Sequence, residues 1–430
     1  MDYFDEVQIL RQQRRAFWRE ESYAECLPSA ERLVEMHRQE DNTEGVMYAD
    51  DAFWLGRAYA QLGRFADAYP YYEAAVRLTI RLKGESVLLA DRLTSMAACG
   101  SHLKRHGAAV REFEEVVAMR RRIQGETHDD TADSLHNLGN ALLDAGRIDE
   151  AIQRHQEAMA LRTRDCYFHA DSLFCLSYAH ELQQDYARAE AEAQKALRLR
   201  KRAVSDLSHE YIVELLHYAQ LCDTAEMYEK SSDAFGAAAR LIKKFTSEDH
   251  LHYAVTLNAQ AESLAKRGEF RRALYNCNKA IRLIRRNLGD YHMICARVLR
   301  NLAFLHQQSG DNSRAEKAMA DSLRVRAKLV GVTHMDFARD ALWLCGLYIE
   351  RRDYESAQAF LQTTLDTARK KGDDEAFAQL EELFKIYLIL CELNCMPTSE
   401  GLEASEKLMA FLQKFFDPAE SGDDLENDAP

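Results

Sequence analysis

Residues 125–162 read GETHDDTADSLHNLGNALLDAGRIDEAIQRHQEAMALR. A histidine among acids suggests chemistry; the glycines and alanines suggest architecture. Ala151 decides between them. Taken as a register mark, it has small or apolar equivalents at Cys26, Ala68, Ala109, Ala189, Ser231, Ala273, Ala315 and Ala357. The successive steps along the chain are 42, 41, 42, 38, 42, 42, 42 and 42 residues. Twelve residues before the mark stand Gly56, Ala97, Gly139, Ser177, Ala219, Ala261, Ala303 and Cys345. Seven after it stand Ala75, Val116, Ala158, Ala196, Ala238, Ala280, Ser322 and Thr364. The first unit fits poorly, with Arg14 and Leu33 at these places. The stretch is one copy of a repeat.

The residue types follow from packing. Two antiparallel helices approach closely only where side chains are small. Larger residues four after the mark, such as Tyr72, Phe113, Phe235 and Leu361, fill the seam to the next pair. One hairpin cannot bury its own faces, so stacked neighbours complete the core. Gly63, Gly146, Gly268 and Gly310 mark turns between the paired helices. Pro28 and Pro70 share a repeat position, expected in the first turn of the second helix, where proline is tolerated.

Composition agrees with an all-helical chain. Only 5 prolines and 18 glycines occur in 430 residues, and helix interiors tolerate neither well. A net charge of −14 argues against nucleic acid as a direct partner, because phosphate binding needs a basic face. Ten cysteines without paired spacing read as reduced thiols in a cytoplasmic protein. No apolar run approaches a membrane span, and the acidic start MDYFDEVQIL does not read as a signal peptide.

WLGRAYAQLGRFADAYPYYEAAV at 54–76 and NLGNALLDAGRIDEAIQRHQEAM at 137–159 resemble the tetratricopeptide repeat. The long period and the Gly-x-x-His-x-x-x-Ala link resemble kinesin light chain repeats. The links are Gly125/His128/Ala132 and Gly331/His334/Ala338, with a shifted glycine at Gly289/His292/Ala296 and a half copy at His250/Ala254. The resemblance covers about residues 7–395 and implies an all-α, right-handed superhelical solenoid of about nine hairpins with a C-terminal cap. Expected boundaries are a divergent first repeat at 1–40, the solenoid at 41–371, capping helices at 372–416 and a disordered acidic tail at 417–430. The resemblance implies a scaffold that binds another protein or a peptide segment of one.

No phosphate loop, nucleophile elbow or zinc-protease motif occurs, so catalytic residues, cofactors and metal ligands are expected to be none. The recurring His128, His250, His292 and His334 read as loop residues that bond backbone at the start of each first helix. His250-x-His252 offers two ligands and no third. Cys391 and Cys395 read as buried thiols. Arg120–Arg122, Arg198–Arg202 and Arg285–Arg286 fall late in second helices, where cations suit the helix C-terminus, so a solvated rim is expected.

Binding is therefore expected on the concave face lined by the first helices. Counting Ala151 as position 20, position 2 reads Asp50, Asp91, Asp133, Asp171, Val213, Val255, Arg297 and Arg339. Aspartates suit the dipole of a helix start, but Arg297 and Arg339 do not; Arg300 adds a cation one turn along. Positions 5, 6 and 9 supply Phe53, Trp54 and Arg57, then His136, Asn137 and Asn140. Phe174, Tyr178, His217, Gln220, Asn258, Asn301, Phe304 and Trp343 follow in later repeats. Asparagine both donates to and accepts from a peptide backbone, and aromatic rings give rigid contact area. A groove acidic in its first half and basic in its second would match a peptide of opposite polarity. An alternative is a regulatory subunit or peptide-responsive regulator that controls a partner enzyme such as a protease or nuclease.

Overall fold

The computed structural model describes residues 3–162, 165–204, 208–247, 249–370 and 374–395. The described residues form helices and no strands. Four hairpins come first: α1 (Tyr3–Arg19) with α2 (Tyr23–Gln39), α3 (Val46–Gln61) with α4 (Phe65–Lys83), α5 (Val87–His102) with α6 (His106–Gln124), and α7 (Asp129–Asp144) with α8 (Ile148–Leu161). Then come α9 (Cys166–Leu182) with α10 (Tyr186–Ala203), α11 (His209–Thr224) with α12 (Tyr228–Phe245), and α13 (Leu251–Lys266) with α14 (Phe270–Leu288). Finally α15 (Met293–Gln308) pairs with α16 (Asn312–Leu329), α17 (Met335–Glu350) pairs with α18 (Tyr354–Arg369), and α19 (Asp374–Cys395) follows. The fold is an all-α solenoid of hairpins. The chain divides into two compact units, Met1–Leu221 and Cys222–Pro430. The helix expected at 401–416, the tail at 417–430 and the side chains of Cys391 and Cys395 lie outside the described residues.

Each hairpin turns through one left-handed residue. Gly63, Gly146, Gly268 and Gly310 take φ of 72° to 77° there. In the other five hairpins the same place is held by Glu21, Lys104, Gln184, Glu226 and Arg352, at φ of 56° to 63°. The turn geometry is thus fixed by the repeat even where no glycine relieves the Cβ clash. Pro28 and Pro70 correct the sequence expectation. Each is the sixth residue of its helix, because α2 begins at Tyr23 and α4 at Phe65. The proline therefore sits one turn further in than expected and removes a helical hydrogen bond.

The small positions lie where the paired helices touch. Ala68, Ala109, Ala151, Ala189, Ala273, Ala315 and Ala357 are fully buried. In repeats two and four a glycine at position 8 stands against a bulky residue at position 24. A Cβ on Gly56 would meet the Tyr72 ring at 3.0 Å, and one on Gly139 would meet His155 Nε2 at 2.6 Å. His155 replaces an aromatic or aliphatic residue here, is fully buried, and has no partner for either ring nitrogen among the described residues. Burial, aided by neighbouring His136, depresses its pKa to about 3.

A polar seam links each second helix to the first helices it touches. Position 31, at or near the end of the second helix, is Arg120, Arg162 or Arg200 in repeats three to five. Each pairs with the aspartate 29 residues before it: Arg120 with Asp91 at 2.7 Å, Arg162 with Asp133 at 2.7 Å, and Arg200 with Asp171. Arg200 also holds buried Glu214 of the following helix at 2.6 Å. In repeat seven the same three positions are Val255, Ile284 and Val298, with Ile284 and Val298 fully buried. In repeat eight Arg326 reaches forward to Asp336 at 3.0 Å and Asp340 at 2.9 Å. The poor fit of repeat one has the same origin. Arg14 is buried at 2.7 Å from Asp51, which also takes Arg11 at 2.5 Å and His37 at 3.0 Å. Burial alone would raise the Asp51 pKa, but these partners hold it down at about 2.

The recurring histidines cap the first helices. His128, His250, His292 and His334 each accept, through Nδ1, the backbone N–H two residues on, at 3.1 to 3.3 Å. This satisfies one of the orphan donors at the helix start and is the backbone role expected from the sequence.

His155→Phe places at position 24 the ring already present as Phe113 and Phe235. The folded pKa of His155 lies below its unfolded value, so its stability is complete above about pH 6.5 and is lost as pH falls towards about 3. The wild type should lose up to about 1.4 kcal/mol per pH unit in that window through this group. Thermal melts of both proteins from pH 8 to pH 4 should show the variant gaining as pH falls; parallel profiles would refute the assignment. Arg200→Ile leaves Glu214 buried without its partner and should cost about 3–5 kcal/mol. The triple change Asp171→Val, Arg200→Ile, Glu214→Val copies repeat seven and should recover most of that in chemical denaturation.

Candidate peptide-binding surface

Within each compact unit the first helices of successive hairpins also approach one another, α3 with α5, α5 with α7, α7 with α9, and α13 with α15, besides the larger contact each makes with the preceding second helix. Crowding on that side makes it the inner layer. The expected site residues fall on it but mostly hold one another. Asp50 pairs with Arg92, so all four position-2 aspartates carry an arginine of the chain. Trp54 packs edge-on against Trp18 at 5.1 Å, with Arg57 over its ring at 4.7 Å and Arg14 at 5.2 Å. Phe174 and Tyr178 lie 4.8 and 6.1 Å from the His217 ring. Asn140 accepts from Cys175 Sγ at 3.2 Å. Gln220 is exposed.

In the second unit, Asn258 is buried rather than facing solvent. It donates to Glu262 at 2.7 Å and accepts from Asn301, which also donates to Glu262 at 2.5 Å. Burial raises the Glu262 pKa against the pull of nearby Arg297. Glu262 occupies position 9, the register of Arg57 and Asn140, and that register alone could have nominated it. Trp343 donates to Gln307 at 3.0 Å, lies 6.2 Å from Phe304 and carries Arg300 at 5.7 Å. Arg300 is 3.6 Å from Asp340, and Arg339 is 4.0 Å from Asp336. Arg297 has no carboxylate within 4.0 Å among the described residues, and its Nε is buried without a partner. The cause is local: where repeats three to five set aspartate against arginine, repeat eight has Arg297 and Arg326.

One cavity brings several expected residues together. It measures about 360 Å³ and is lined by Asp133, His136, Asn137, Arg162, Asp165, Tyr167, Phe168 and Asp171. It opens beside α8, which has 14 residues where α4, α6 and α14 have 19. The 38-residue step after Ala151 is thus a missing last turn, and the space it vacates is the cavity. Arg162 becomes the C-cap of α8, and Asp165 caps α9 by accepting from Tyr167 and Phe168 N–H at 3.0 Å. The short step was legible; Arg162, Asp165, Tyr167 and Phe168 were not connected with it.

Of the three lining carboxylates, Asp133 and Asp165 share Arg162 and Asp171 is held by Arg200. Arg162 reaches Asp133 at 2.7 Å and Asp165 at 3.8 Å, and lies 4.8 Å over Phe168. Burial raises the Asp133 pKa despite Arg162. His136 sits 3.2 Å from Ser172 Oγ, and burial lowers its pKa, which favours the neutral ring. Tyr167 is exposed, with Arg200 over its ring at 4.3 Å. Asn137 makes no side-chain hydrogen bond among the described residues. The cavity therefore offers a free amide, an aromatic wall and three carboxylates held by two arginines, Arg162 and Arg200. Among the described residues no three His, Cys, Asp or Glu groups are placed to hold a metal ion, and no helix is long and apolar enough to cross a membrane.

Comparison with known proteins agrees with the fold. One tetratricopeptide repeat family model matches residues 91–164 and 252–328, and a second matches 52–79. A kinesin light chain-related protein of Arabidopsis thaliana is 23% identical over 301 residues, covering 68% of this chain; the chain spans about half, 49%, of that relative. The C-terminal part of a TPR repeat-containing protein from Cytophaga hutchinsonii matches with a TM-score of 0.49 at 14% identity, covering 69% of this chain and 99% of that one. BtubC (BKLC) from P. vanneervenii matches with a TM-score of 0.43 at 15% identity, covering 56% and 92%. Tetratricopeptide repeats build protein-interaction scaffolds that are typically non-catalytic. Residues 52–79, 91–164 and 252–328 thus match tetratricopeptide repeats, and the repeated units of the chain resemble those of kinesin light chains.

Proposed function

We propose that this chain is a non-catalytic adaptor that holds an extended segment of another protein against its first-helix layer, with a recognition centre at the cavity between α7 and α9. The observation that carries the reading is the unengaged amide of Asn137 at a cavity made by the missing turn of α8. An asparagine there matches a peptide unit with both donor and acceptor. Tyr167 supplies rigid contact area. Asp133, Asp165 and Asp171 outnumber Arg162 and Arg200 by one, which favours a basic side chain on the ligand. In the second compact unit, Arg297 is the counterpart for an acidic group, because no carboxylate of the described chain neutralises it at close range. A cytosolic location belongs to the same reading, supported by ten cysteines without paired spacing.

Affinity capture from the native cell, followed by mass spectrometry, tests the cavity. Asn137→Ala, alone and with Asn140→Ala, should weaken a captured partner about tenfold per lost amide contact. A partner held equally by wild type and variants would move the interface off this surface. Arg297→Glu with Arg339→Glu should weaken an acidic ligand by at least about tenfold, read by titration of the purified partner segment; unchanged affinity removes the second contact.

A further inference from the structure

The second helices carry a different surface. Helix α14, FRRALYNCNKAIRLIRRNL, has six cations and no acid. Its solvent face presents Arg271, Arg272, Tyr275, Arg282, Arg285 and Arg286. Three of these arginines hold one nearby acid each: Arg272 with Glu269, Arg285 with Asp290 and Arg286 with Asp249. Arg282 meets only the Asn278 carbonyl, and Arg271 has no partner among the described residues. Tyr275, 66% exposed, sits between them at helical spacing from Arg271, Arg272, Lys279 and Arg282. A rim that merely suited the helix dipole would confine its cations to the last turn. Arg271, Arg272 and Lys279 lie in the first two-thirds of the helix, so the dipole does not account for them.

We propose that the segment 417–430 of this same chain, DPAESGDDLENDAP, docks on this face of α14. It carries six acids and no base, against six cations and no acid on the helix. Its one leucine, Leu425, stands among Asp423, Asp424, Glu426 and Asp428, as Tyr275 stands among arginines. The two stretches are opposite in sign and alike in layout. The 21 residues between Cys395 and Asp417 allow up to about 70 Å of extended chain. Tethering raises the local concentration of the segment, so weak surface pairs add up to occupancy at low salt. The contact leaves the first-helix layer open and covers the cationic helix until a stronger polyanion displaces the segment.

The test titrates a labelled synthetic peptide of residues 417–430 into two proteins at low salt: the full chain and a variant ending at residue 416. The shortened protein should bind the peptide, and the full chain, already occupied, should bind it at least about tenfold more weakly. Arg271→Glu with Arg282→Glu in the shortened protein should reduce binding by at least about tenfold; both residues are exposed, so an unchanged thermal melt confirms that the fold survives. Binding should also fall steeply on adding salt. Equal binding to full and shortened chains, or indifference to the charge reversals, overturns the proposal. Binding of duplex RNA or phosphatidylserine vesicles by the shortened protein, without binding of the peptide, overturns it in favour of a foreign polyanion.

Discussion

The close approach of two antiparallel helices is the constraint on which everything else rests. It demands a small residue at position 20 and matched sizes at positions 8 and 24. Gly56 admits Tyr72 and Gly139 admits His155, while Ala97 shares a core with Phe113. The tight contact fixes the turn, which then forces a left-handed residue even where glutamate, lysine, glutamine or arginine must supply it. Only after these requirements are met does a repeat have freedom, and that freedom lies in the seam and on the first-helix layer.

The fold was legible because this constraint acts nine times at nearly equal spacing. Repetition turns a weak preference for alanine into a strong signal. Boundaries within the repeat were less legible. Proline at 28 and 70 looked like a helix-start residue, yet helix formation begins five residues earlier, since one lost hydrogen bond inside a packed hairpin is outweighed by burial.

The candidate surface was legible in part. Asp133, His136 and Asn137 were found from their register and do meet at one cavity. Their neighbours follow from the absent last turn of α8, which the shortened step alone does not locate. The aspartates at position 2 suit the helix dipole, but each in repeats three to five also has its arginine 29 residues later. That constant separation was visible in the sequence, but a pair across two helices is invisible to a search for local motifs. Asn258 shows the opposite limit: register placed it with exposed neighbours, and only the packing of Glu262 and Asn301 explains its burial.

The seam has a consequence for how this solenoid responds to its medium. Repeats that share an architecture are joined by unlike chemistry: arginine and carboxylates at Arg200, and aliphatic contact at Ile284. Apolar contact weakens on cooling, and ion pairs with one exposed partner, such as Arg200 with Asp171, weaken with salt. Nearest-neighbour coupling is then not one constant but a sequence-coded series. Cold and ionic strength would each find a different weakest link, so the place where such a chain first frays is a property of its surroundings as much as of its fold.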